Sequence, residues 1–356
     1  MQHSRIQNMQ HSRIQNRSCK HIALGVAVVA FLAGSPLPQP RAAQADKSLE
    51  LLNVSYDPTR ELWRALNDAF IPKYAKDTGV TLKINQSHGG SGAQARAIID
   101  GLDADVATLA LWPDVDAVRK AGLIANGWEQ RLPNNSVAYT STIVFVVRKG
   151  NPKGIKDWPD IVKPGVEIVT PNPKTSGNGK LSLLAAWGSV TQRGGTEEQA
   201  KELITKLYKQ TPVLDSGARG STTTFAQKKI GDVHLTWENE AYPEVRDANG
   251  ELELVYPPIS ILAEPPLAWV DANVRRKGTG DAARAYLEFL YSDEGQEIIA
   301  RNFYRPINAA VKARHASTFP DITLFPITAV ATDWTDAYSK FFVDGKIFDS
   351  IYQSGH

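Results

Sequence analysis

The chain has 356 residues, of which 42% are hydrophobic and 22% are charged, and its formal net charge is +2. This composition is typical of a folded globular protein, and it excludes a disordered, a collagen-like or a disulfide-rich chain. The length is sufficient for about two domains of ~150 residues each.

The first 45 residues have the order of a secretory signal. Three basic residues precede an apolar run at 22–34, and the small residues Ala43-Gln44-Ala45 follow it. The apolar run has 13 residues, whereas a transmembrane helix needs about 20. We therefore predict a signal peptide at 1–45 that is cleaved after about Ala45, and an exported mature protein that begins at Asp46.

The mature chain has a different charge balance from the full sequence. Removal of residues 1–45 takes away five basic residues and no acidic residue, which leaves 35 Lys and Arg against 38 Asp and Glu, a net charge of −3. This balance argues against a nucleic-acid partner. Cys19 is the only cysteine, so the mature chain must be stabilised by its core rather than by disulfides.

Residues 1–8 recur unchanged as 9–16, so Met9 is an alternative start.

Strand-like and helix-like patterns alternate along the mature chain. A strand at 51–56 precedes helical spacing from Leu62 to Tyr74, and a strand at 81–85 precedes a helix that ends at Asp100. Further strands are predicted at 140–150, 166–170, 211–214 and 233–237. Helical patterns dominate after residue 258, notably at 281–303. The alternation predicts an α/β fold whose sheets are mainly parallel and flanked by helices.

The chain is long enough to form two lobes, and we predict that it crosses between them near residues 140 and 257. Residues 46–139 then form the first part of lobe 1, and residues 140–256 form lobe 2. Residues 257–356 complete lobe 1 and add the C-terminal helices. A ligand cleft is expected between the lobes.

Four strand-like runs end in a polar or glycine-rich turn that opens a helix. These turns lie at 55–59, 87–92, 175–179 and 215–221. In the first, we predict Asp57 as the N-cap and Pro58 as the first helical residue. Unpaired N–H groups and the helix dipole make such a helix start suitable for an anion. One such turn indicates only a capped helix, but four at one cleft predict an oxyanion site between the lobes.

Other motifs fit their spacing less well. The segment 90–95 matches a dinucleotide fingerprint, but it follows the second strand rather than the first. The segment 89–93 resembles a nucleophile elbow without its second glycine, so an exported serine hydrolase remains a remote alternative. The mature chain has four histidines without metal-ligand spacing and no cysteine, so we predict no metal site and no cofactor.

Several long motifs resemble the periplasmic sulfate-binding proteins of ABC-type sulfate permeases. The motifs are NVSYDPTREL (53–62), QSHGGSG (86–92), TSTIVFVVRKGNPK (140–153), TPNPKTSGNGK (170–180), LAAWG (184–188), LDSGARGST (214–222), WENEA (237–241), SILAEP (260–265) and GQEIIARNFYRP (295–306). The resemblance covers roughly 51–350. It implies a two-lobed type II periplasmic-binding-protein fold and a monomer without enzymatic activity. It also implies that sulfate is delivered to the membrane permease subunits of an ABC transporter.

The resemblance further implies a site that holds the dianion with hydrogen-bond donors and no salt bridge. The donors carried onto matching positions are the backbone N–H groups of Asp57, Ser91, Gly177, Asn178 and Ala218, the hydroxyl of Ser176 and the indole of Trp237. Asn178 departs from the glycine that the family usually has, although its N–H is still present. Arg219 is either a counter-charge behind the site or a surface residue.

Such a donor set would select a fully ionised anion. Sulfate offers only acceptors, whereas the proton of hydrogen phosphate would face another donor. Thiosulfate, and then molybdate or phosphate, are the alternative ligands. Three acids lie close to the site in the sequence, namely Asp57, Asp215 and Glu238. A carboxylate among them that pointed at the ligand would favour a protonated anion instead.

Overall fold

The computed structural model describes residues 48–352. The predicted signal peptide at 1–45, its cleavage after Ala45 and the repeat at 1–16 lie outside the described residues. Within residues 48–352, no helix is both long and apolar enough to cross a membrane.

The described chain alternates between strands and helices. The strands are β1 (Ser48–Tyr56), β2 (Thr81–Gly89), β3 (Val106–Thr108), β4 (Tyr139–Thr140), β5 (Ile143–Arg148), β6 (Ile168–Val169), β7 (Val233–Trp237), β8 (Leu252–Val255), β9 (Ile259–Ile261), β10 (Ala268–Trp269), β11 (Arg305–Pro306) and β12 (Thr323–Phe325). The helices are α1 (Arg60–Thr78), α2 (Ser91–Ile99), α3 (Trp112–Lys120), α4 (Pro133–Ser136), α5 (Trp158–Ile161), α6 (Gly177–Thr191), α7 (Glu197–Lys209), α8 (Ala218–Thr222), α9 (Glu238–Asp247), α10 (Asp271–Lys277), α11 (Gly280–Phe289), α12 (Asp293–Arg301), α13 (Ala309–Arg314), α14 (Trp334–Phe341) and α15 (Ile347–Tyr352).

The first four-stranded sheet has the order β10-β3-β1-β2. Its central strand β1 is parallel to β2 and β3, and β10 is antiparallel to β3. Leu51 of β1 packs into one apolar core with α1, α11 and α12, whereas Val54 packs into another with α2 and α3. Successive side chains of a strand point to opposite faces, so helices cover both faces of this sheet. The predicted strands at 51–56 and 81–85 are confirmed, and β2 continues to Gly89.

The second four-stranded sheet has the order β6-β7-β5-β8. Strand β6 is parallel to β7, and β5 is antiparallel to both β7 and β8. The prediction of a mainly parallel sheet is therefore wrong for this sheet, because the alternation of strands and helices does not fix the direction in which each strand enters a sheet. The predicted strand at 233–237 is confirmed residue for residue. The predicted strand at 211–214 is wrong, because the structure has no strand there. Pro212 has no backbone N–H to donate to a ladder, and β6 is bonded instead to the flanking carbonyl of Gln210.

Strand β5 explains how the second sheet is covered on both faces. Phe145 points into a core that contains Trp187 of α6, whereas Val144 and Val146 point into a core that contains Phe225. All of these side chains are buried. A near-continuous apolar run such as IVFVVR is typical of a strand that is buried on both faces.

Short pairings join segments that are far apart in the chain. Strand β4 pairs with β11, β9 pairs with β12, and Ser141 forms an isolated bridge with Ala263. The last helices pack on the second sheet's core, where the Phe341 ring lies 4.9 Å from that of Trp187. The predicted crossings near 140 and 257 thus coincide with short pairings, while the boundaries of the lobes stay a prediction.

Candidate functional site

Four helical segments begin around one small cavity. They are the 3-10 turn at 57–59 that leads into α1, and helices α2, α6 and α8. The cavity is lined by Tyr56, Asp57, Pro58, Gly89, Gly90, Ser91, Ser176, Gly177, Asn178, Ala218 and Trp237. All seven residues predicted to bind the ligand are therefore brought together. Their role as ligand donors stays a prediction.

The lining contains backbone N–H groups that have no acceptor in the protein. Within residues 48–352, no hydrogen bond is donated by the N–H groups of Asp57, Ser91, Gly177, Asn178 and Ala218. The first N–H groups of a helix have no partner within the helix. Together with the helix dipoles they create a positive potential in the cavity without a charged side chain.

Ser176 is the N-cap of α6, and its backbone is extended. Its Oγ accepts a hydrogen bond from the Gly179 N–H at 3.4 Å, and the side chain is buried. Because an Oγ that accepts still has its own hydrogen to donate, the Ser176 hydroxyl can serve both the helix and a ligand in the cavity.

Trp237 is the last residue of β7 and is fully buried. Its ring lies 5.3 Å from the ring of Tyr56, which is the last residue of β1. The indole N–H forms no hydrogen bond to any residue in the described part of the chain, although it belongs to the cavity lining. A buried indole N–H normally has a hydrogen-bond partner, so Trp237 is a free donor at the end of a strand.

Asp57 is not the N-cap that the sequence predicts. The N-cap of the 57–59 turn is Tyr56, whose extended backbone continues β1, and no side chain caps the turn. Asp57 is already the first residue of the turn, so its carboxylate cannot reach back over the helix start. Its Oδ1 instead accepts a hydrogen bond from Arg60 Nη2 at 2.7 Å.

Asp114 is a residue of this region that sequence reasoning missed. The Ser91 hydroxyl donates to Asp114 Oδ2 at 2.5 Å and accepts from the Ala110 N–H at 3.0 Å. The side chain of Ser91 is therefore used to fix the loop, and its backbone N–H is the group that faces the cavity. Asp114 lies at the start of α3, after the short strand β3. This fifth strand-to-helix junction is the one feature of the sequence that could have pointed to Asp114.

Gly177 and Asn178 fit the start of α6 for different reasons. A Cβ added at Gly177 would lie 2.6 Å from the Ala110 Cβ, so only glycine allows this close approach. Asn178 is in the helix, without a positive φ. Its Nδ2 donates to the Leu235 carbonyl at 2.9 Å. The side chain is thus bonded to β7, and the asparagine is accommodated without a left-handed backbone.

Two arginines near the cavity are paired with buried or exposed acids. Glu238 is bound by Arg305, and Arg219 is paired with Glu61 at 2.6 Å and with Glu240 at 2.9 Å. Neither Arg219 nor Asp215 belongs to the cavity lining. Arg219 is thus a counter-charge to two acids rather than a direct contact.

The pKa of Glu240 is raised to about 8, chiefly because burial disfavours its charged form, with Arg219 opposing the effect. The nearby carboxylates of Glu61, Glu244 and Asp57 raise this pKa further. Glu240 is therefore a titrating group behind the cavity that sequence reasoning did not single out.

The serines of the cavity do not form a nucleophile and base pair. His88 is bonded to the Tyr56 carbonyl and Gln86, His234 to Glu244, and His315 to Glu297. None of these three histidines of the described chain contacts Ser91 or Ser176. The serines of the cavity therefore form no serine–histidine pair of the kind that activates a nucleophilic serine. Residues 48–352 also contain no group of three or more side chains positioned to hold a metal.

A family model of bacterial extracellular solute-binding proteins matches residues 61–305. The chain belongs to this family. Among its relatives, the thiosulfate-binding protein of Pseudomonas aeruginosa is 50% identical over 304 residues, which cover 85% of this chain and 92% of that protein. The sulfate-binding protein of Escherichia coli is 50% identical over 307 residues, which cover 86% of this chain and 93% of that protein.

The fold of this solute-binding protein is similar to a solved structure, the sulfate-binding protein SubI from Mycobacterium tuberculosis. The two chains are 30% identical with a TM-score of 0.75, and the match covers 83% of this chain and 99% of that chain. The predicted α/β class and two-lobed type II periplasmic-binding-protein fold are confirmed.

Proposed function

We propose that this solute-binding protein captures sulfate between its two lobes and delivers it to an ABC-type permease. The observation that carries the proposal is the set of seven unpaired donors in one cavity: five backbone N–H groups, the Ser176 hydroxyl and the Trp237 indole. Relatives that are 50% identical over most of the chain and named for sulfate or thiosulfate support the same class of ligand.

The donor set accounts for a preference for sulfate over hydrogen phosphate. Asp57 is the one acid in the lining; its Oδ1 is bound by Arg60, and its Oδ2 lies beside Gly217, where an added Cβ would approach it to 2.7 Å. A protonated anion that is held by the seven donors alone would find no acceptor for its own hydrogen, and such a mismatch in a buried site is costly. Mismatches of this kind can reach discrimination of about 10⁴ to 10⁵.

Capture is proposed to proceed by closure of the lobes over the ligand. Residues 46–139 and 257–356 would form lobe 1, and residues 140–256 would form lobe 2. The C-terminal helices would then contact lobe 2, because they pack on the core of the second sheet. The turns of the two lobes lie close enough that a Cβ at Gly90 would approach the Thr175 carbonyl to 2.7 Å. Sulfate would first bind to the donors of one lobe, and the closed form would dock on the permease. No bond is made or broken in this cycle.

Thiosulfate is the second candidate ligand, since the relative from Pseudomonas aeruginosa is a thiosulfate-binding protein. A thiosulfate ion presents the same acceptor geometry with one sulfur in place of an oxygen. Both ligands suit a site that contains only donors, so a direct comparison of affinities is needed.

The test is calorimetric titration of the chain from Asp46, dialysed free of anions, with sulfate, thiosulfate, molybdate and phosphate. We expect one sulfate per chain, no heat from phosphate, and at least about tenfold weaker sulfate binding in Trp237→Phe and Ser176→Ala, since each removes a hydrogen bond to a charged ligand. Trp269→Phe is the matched control, because Trp269 lies on β10 outside the cavity lining. Sulfate binding that is indifferent to both site variants would overturn the proposed site, and thiosulfate binding tighter than sulfate would change the ligand.

Export is proposed on the signal at 1–45, with a periplasmic monomer as the working form. Mass spectrometry of the secreted protein is expected to find Asp46 at the N-terminus. A product that retains the apolar run 22–34 would contradict cleavage after Ala45.

A further inference from the structure

A second and larger cavity lies beside the anion site. Its volume is about 370 Å³, within the range of about 300–1,000 Å³ that is typical of small-molecule pockets. Helices α2 and α3 form one wall, and the start of α6 with helix α14 forms the other. The two cavities are separated by Ser91 and Asp114, which are hydrogen-bonded to each other.

Lys180 is the unusual group in the lining of this second cavity. Its side chain is only 2% exposed, and its Nζ forms no hydrogen bond with any residue between 48 and 352. The nearest carboxylate oxygen is Asp114 Oδ1 at 3.8 Å, and the Tyr338 ring centroid is 5.9 Å away. A buried ammonium with three donors is stabilised only when those donors have partners.

The other lysines of the lining do not share this property. Lys174 donates to the Phe342 carbonyl and to two carboxylates at 2.9–3.0 Å, and Lys120 is paired with Asp116 at 3.0 Å. Arg96, the fourth cation of the lining, is exposed to solvent. Lys180 is therefore the buried cation of this lining with hydrogen-bonding capacity left for a ligand.

The walls of the cavity combine a positive balance with apolar surface. Four cationic side chains and two carboxylates line it. Ile99 and Tyr338 are large apolar side chains with 39% and 37% of their surface exposed, and Trp112 also belongs to the lining. The apolar part of a ligand could pack on these side chains, and the net positive charge of the lining favours a ligand with an anionic group.

We propose that this cavity binds a small organic anion, a carboxylate or sulfonate with an aromatic or branched body. The acid group would accept hydrogen bonds from Lys180, and the body would pack against Ile99 and Tyr338. This ligand is distinct from inorganic sulfate, because the seven donors of the anion site leave no room for an organic substituent and the second cavity offers one. The proposal goes beyond sulfate capture and does not depend on it.

The test uses benzenesulfonate and benzoate as probes, with benzyl alcohol as the uncharged control. Calorimetric titration is done both without sulfate and with excess sulfate, so that binding of the probes in the small cavity would be seen as competition. We expect both acids to bind with one site per chain and benzyl alcohol to bind at least about tenfold more weakly, since it lacks the charge that Lys180 pairs with. Failure of both acids to bind, or their displacement by sulfate, would overturn the second site.

Three variants assign the binding to this cavity. Lys180→Met is expected to weaken benzenesulfonate binding at least about tenfold, and Tyr338→Ala by about threefold. Lys120→Met removes a cation of the same lining that is already paired with Asp116 and 61% exposed, so it is expected to change binding less than twofold. Equal losses in Lys120→Met and Lys180→Met would indicate unspecific charge attraction and would contradict the role of Lys180. Tyr338→Ala keeps the test decisive if Lys180→Met does not fold, because an unchanged affinity in this variant would also reject the cavity.

Discussion

Glu238 and Arg305 form a buried bidentate ion pair next to Trp237 of the small cavity. Arg305 Nε and Nη2 donate to the two carboxylate oxygens of Glu238 at 2.7 and 2.8 Å. Glu238 follows Trp237 in the chain, and Arg305 lies on β11. The pair turns the carboxylate away from the cavity and fixes the end of β7, so that the indole of Trp237 stays in position.

Removal of one partner of this pair is expected to be costly. In Arg305→Met, the carboxylate of Glu238 is left buried and unpaired, which typically costs about 3–5 kcal/mol. Urea unfolding of the sulfate-free protein, followed by tryptophan fluorescence, measures the loss. The double variant Arg305→Met/Glu238→Gln removes both charges and should recover at least half of the lost free energy of unfolding. An equal loss in the single and double variants would mean that the pair does not act through its charges.

Gly90 is predicted to control the approach of the turns around the anion site. A Cβ at this position would lie 2.7 Å from the Thr175 carbonyl oxygen and 3.2 Å from that of Ser216. Its own backbone, at φ −60° and ψ 133°, suits alanine. We therefore expect Gly90→Ala to weaken sulfate binding at least about tenfold by steric conflict, with little change in the stability of the sulfate-free protein.

The matched control for this variant is Gly92→Ala, two residues further along. There the nearest atom to an added Cβ is Asp114 Oδ1 at 3.6 Å, an ordinary contact. Calorimetric titration should find sulfate affinity within about twofold of the unmodified protein. If both alanines weaken binding equally, the helix start and not the contact with Thr175 is responsible.

Glu240 is expected to make stability depend on pH. Burial raises its pKa from 4.5 to about 8, so the folded protein holds a proton that the unfolded chain releases between these values. The free energy of unfolding should therefore fall as pH rises from about 5 to 8, by up to about 1.4 kcal/mol per pH unit from this group. In Glu240→Gln, this part of the fall in the free energy of unfolding should be absent, as measured by urea unfolding at several pH values.

Glu251→Gln is the control for the pH series, because Glu251 is an exposed partner of Lys229. This variant should keep the pH dependence of the unmodified protein. An identical slope in Glu240→Gln and in the unmodified protein would show that Glu240 is ionised in the folded state throughout the range.

Sulfate affinity, in contrast to stability, is expected to be nearly constant between pH 5 and 7. The proposed donors are backbone N–H groups, a hydroxyl and an indole, and none of them titrates in this range. Titration calorimetry in anion-free buffers should find a change of less than about twofold. A steep loss of affinity with rising pH that disappears in His88→Gln would instead place a charged histidine in the site; burial lowers the pKa of His88.

The sequence predicts which residues gather at the small cavity better than it predicts the residues around them. The four helix starts are marked locally by glycine, serine and aspartate, and all seven predicted residues lie in one cavity. Local signals cannot place Asp114, because its bond to Ser91 joins residues that are 23 positions apart. The same holds for the pairing of Glu238 with Arg305, which are 67 positions apart.

The errors in the predicted elements also have local causes. The segment 211–214 has the composition of a strand, but Pro212 has no N–H to donate to a neighbouring strand. Hydrogen bonds to the second sheet and the next loop are accepted only by the flanking carbonyls of Gln210 and Asp215. Asp57 has the residue type of an N-cap, but β1 runs directly into a 3-10 turn and shifts the cap to Tyr56. In both cases, the neighbouring strand determines the backbone conformation, and the local residue type alone does not.

The packing of the C-terminal helices on the core of the second sheet sets the order in which the chain can fold. The rings of Tyr208 and Phe348 lie 5.1 Å apart in that core, although they are 140 positions apart in the sequence. Synthesis proceeds from the N-terminus, so this core lacks one side until the last ~30 residues have left the ribosome. Contacts over such long separations also form slowly. In an exported protein, this delay would keep the nascent chain unfolded while it passes through a translocation channel.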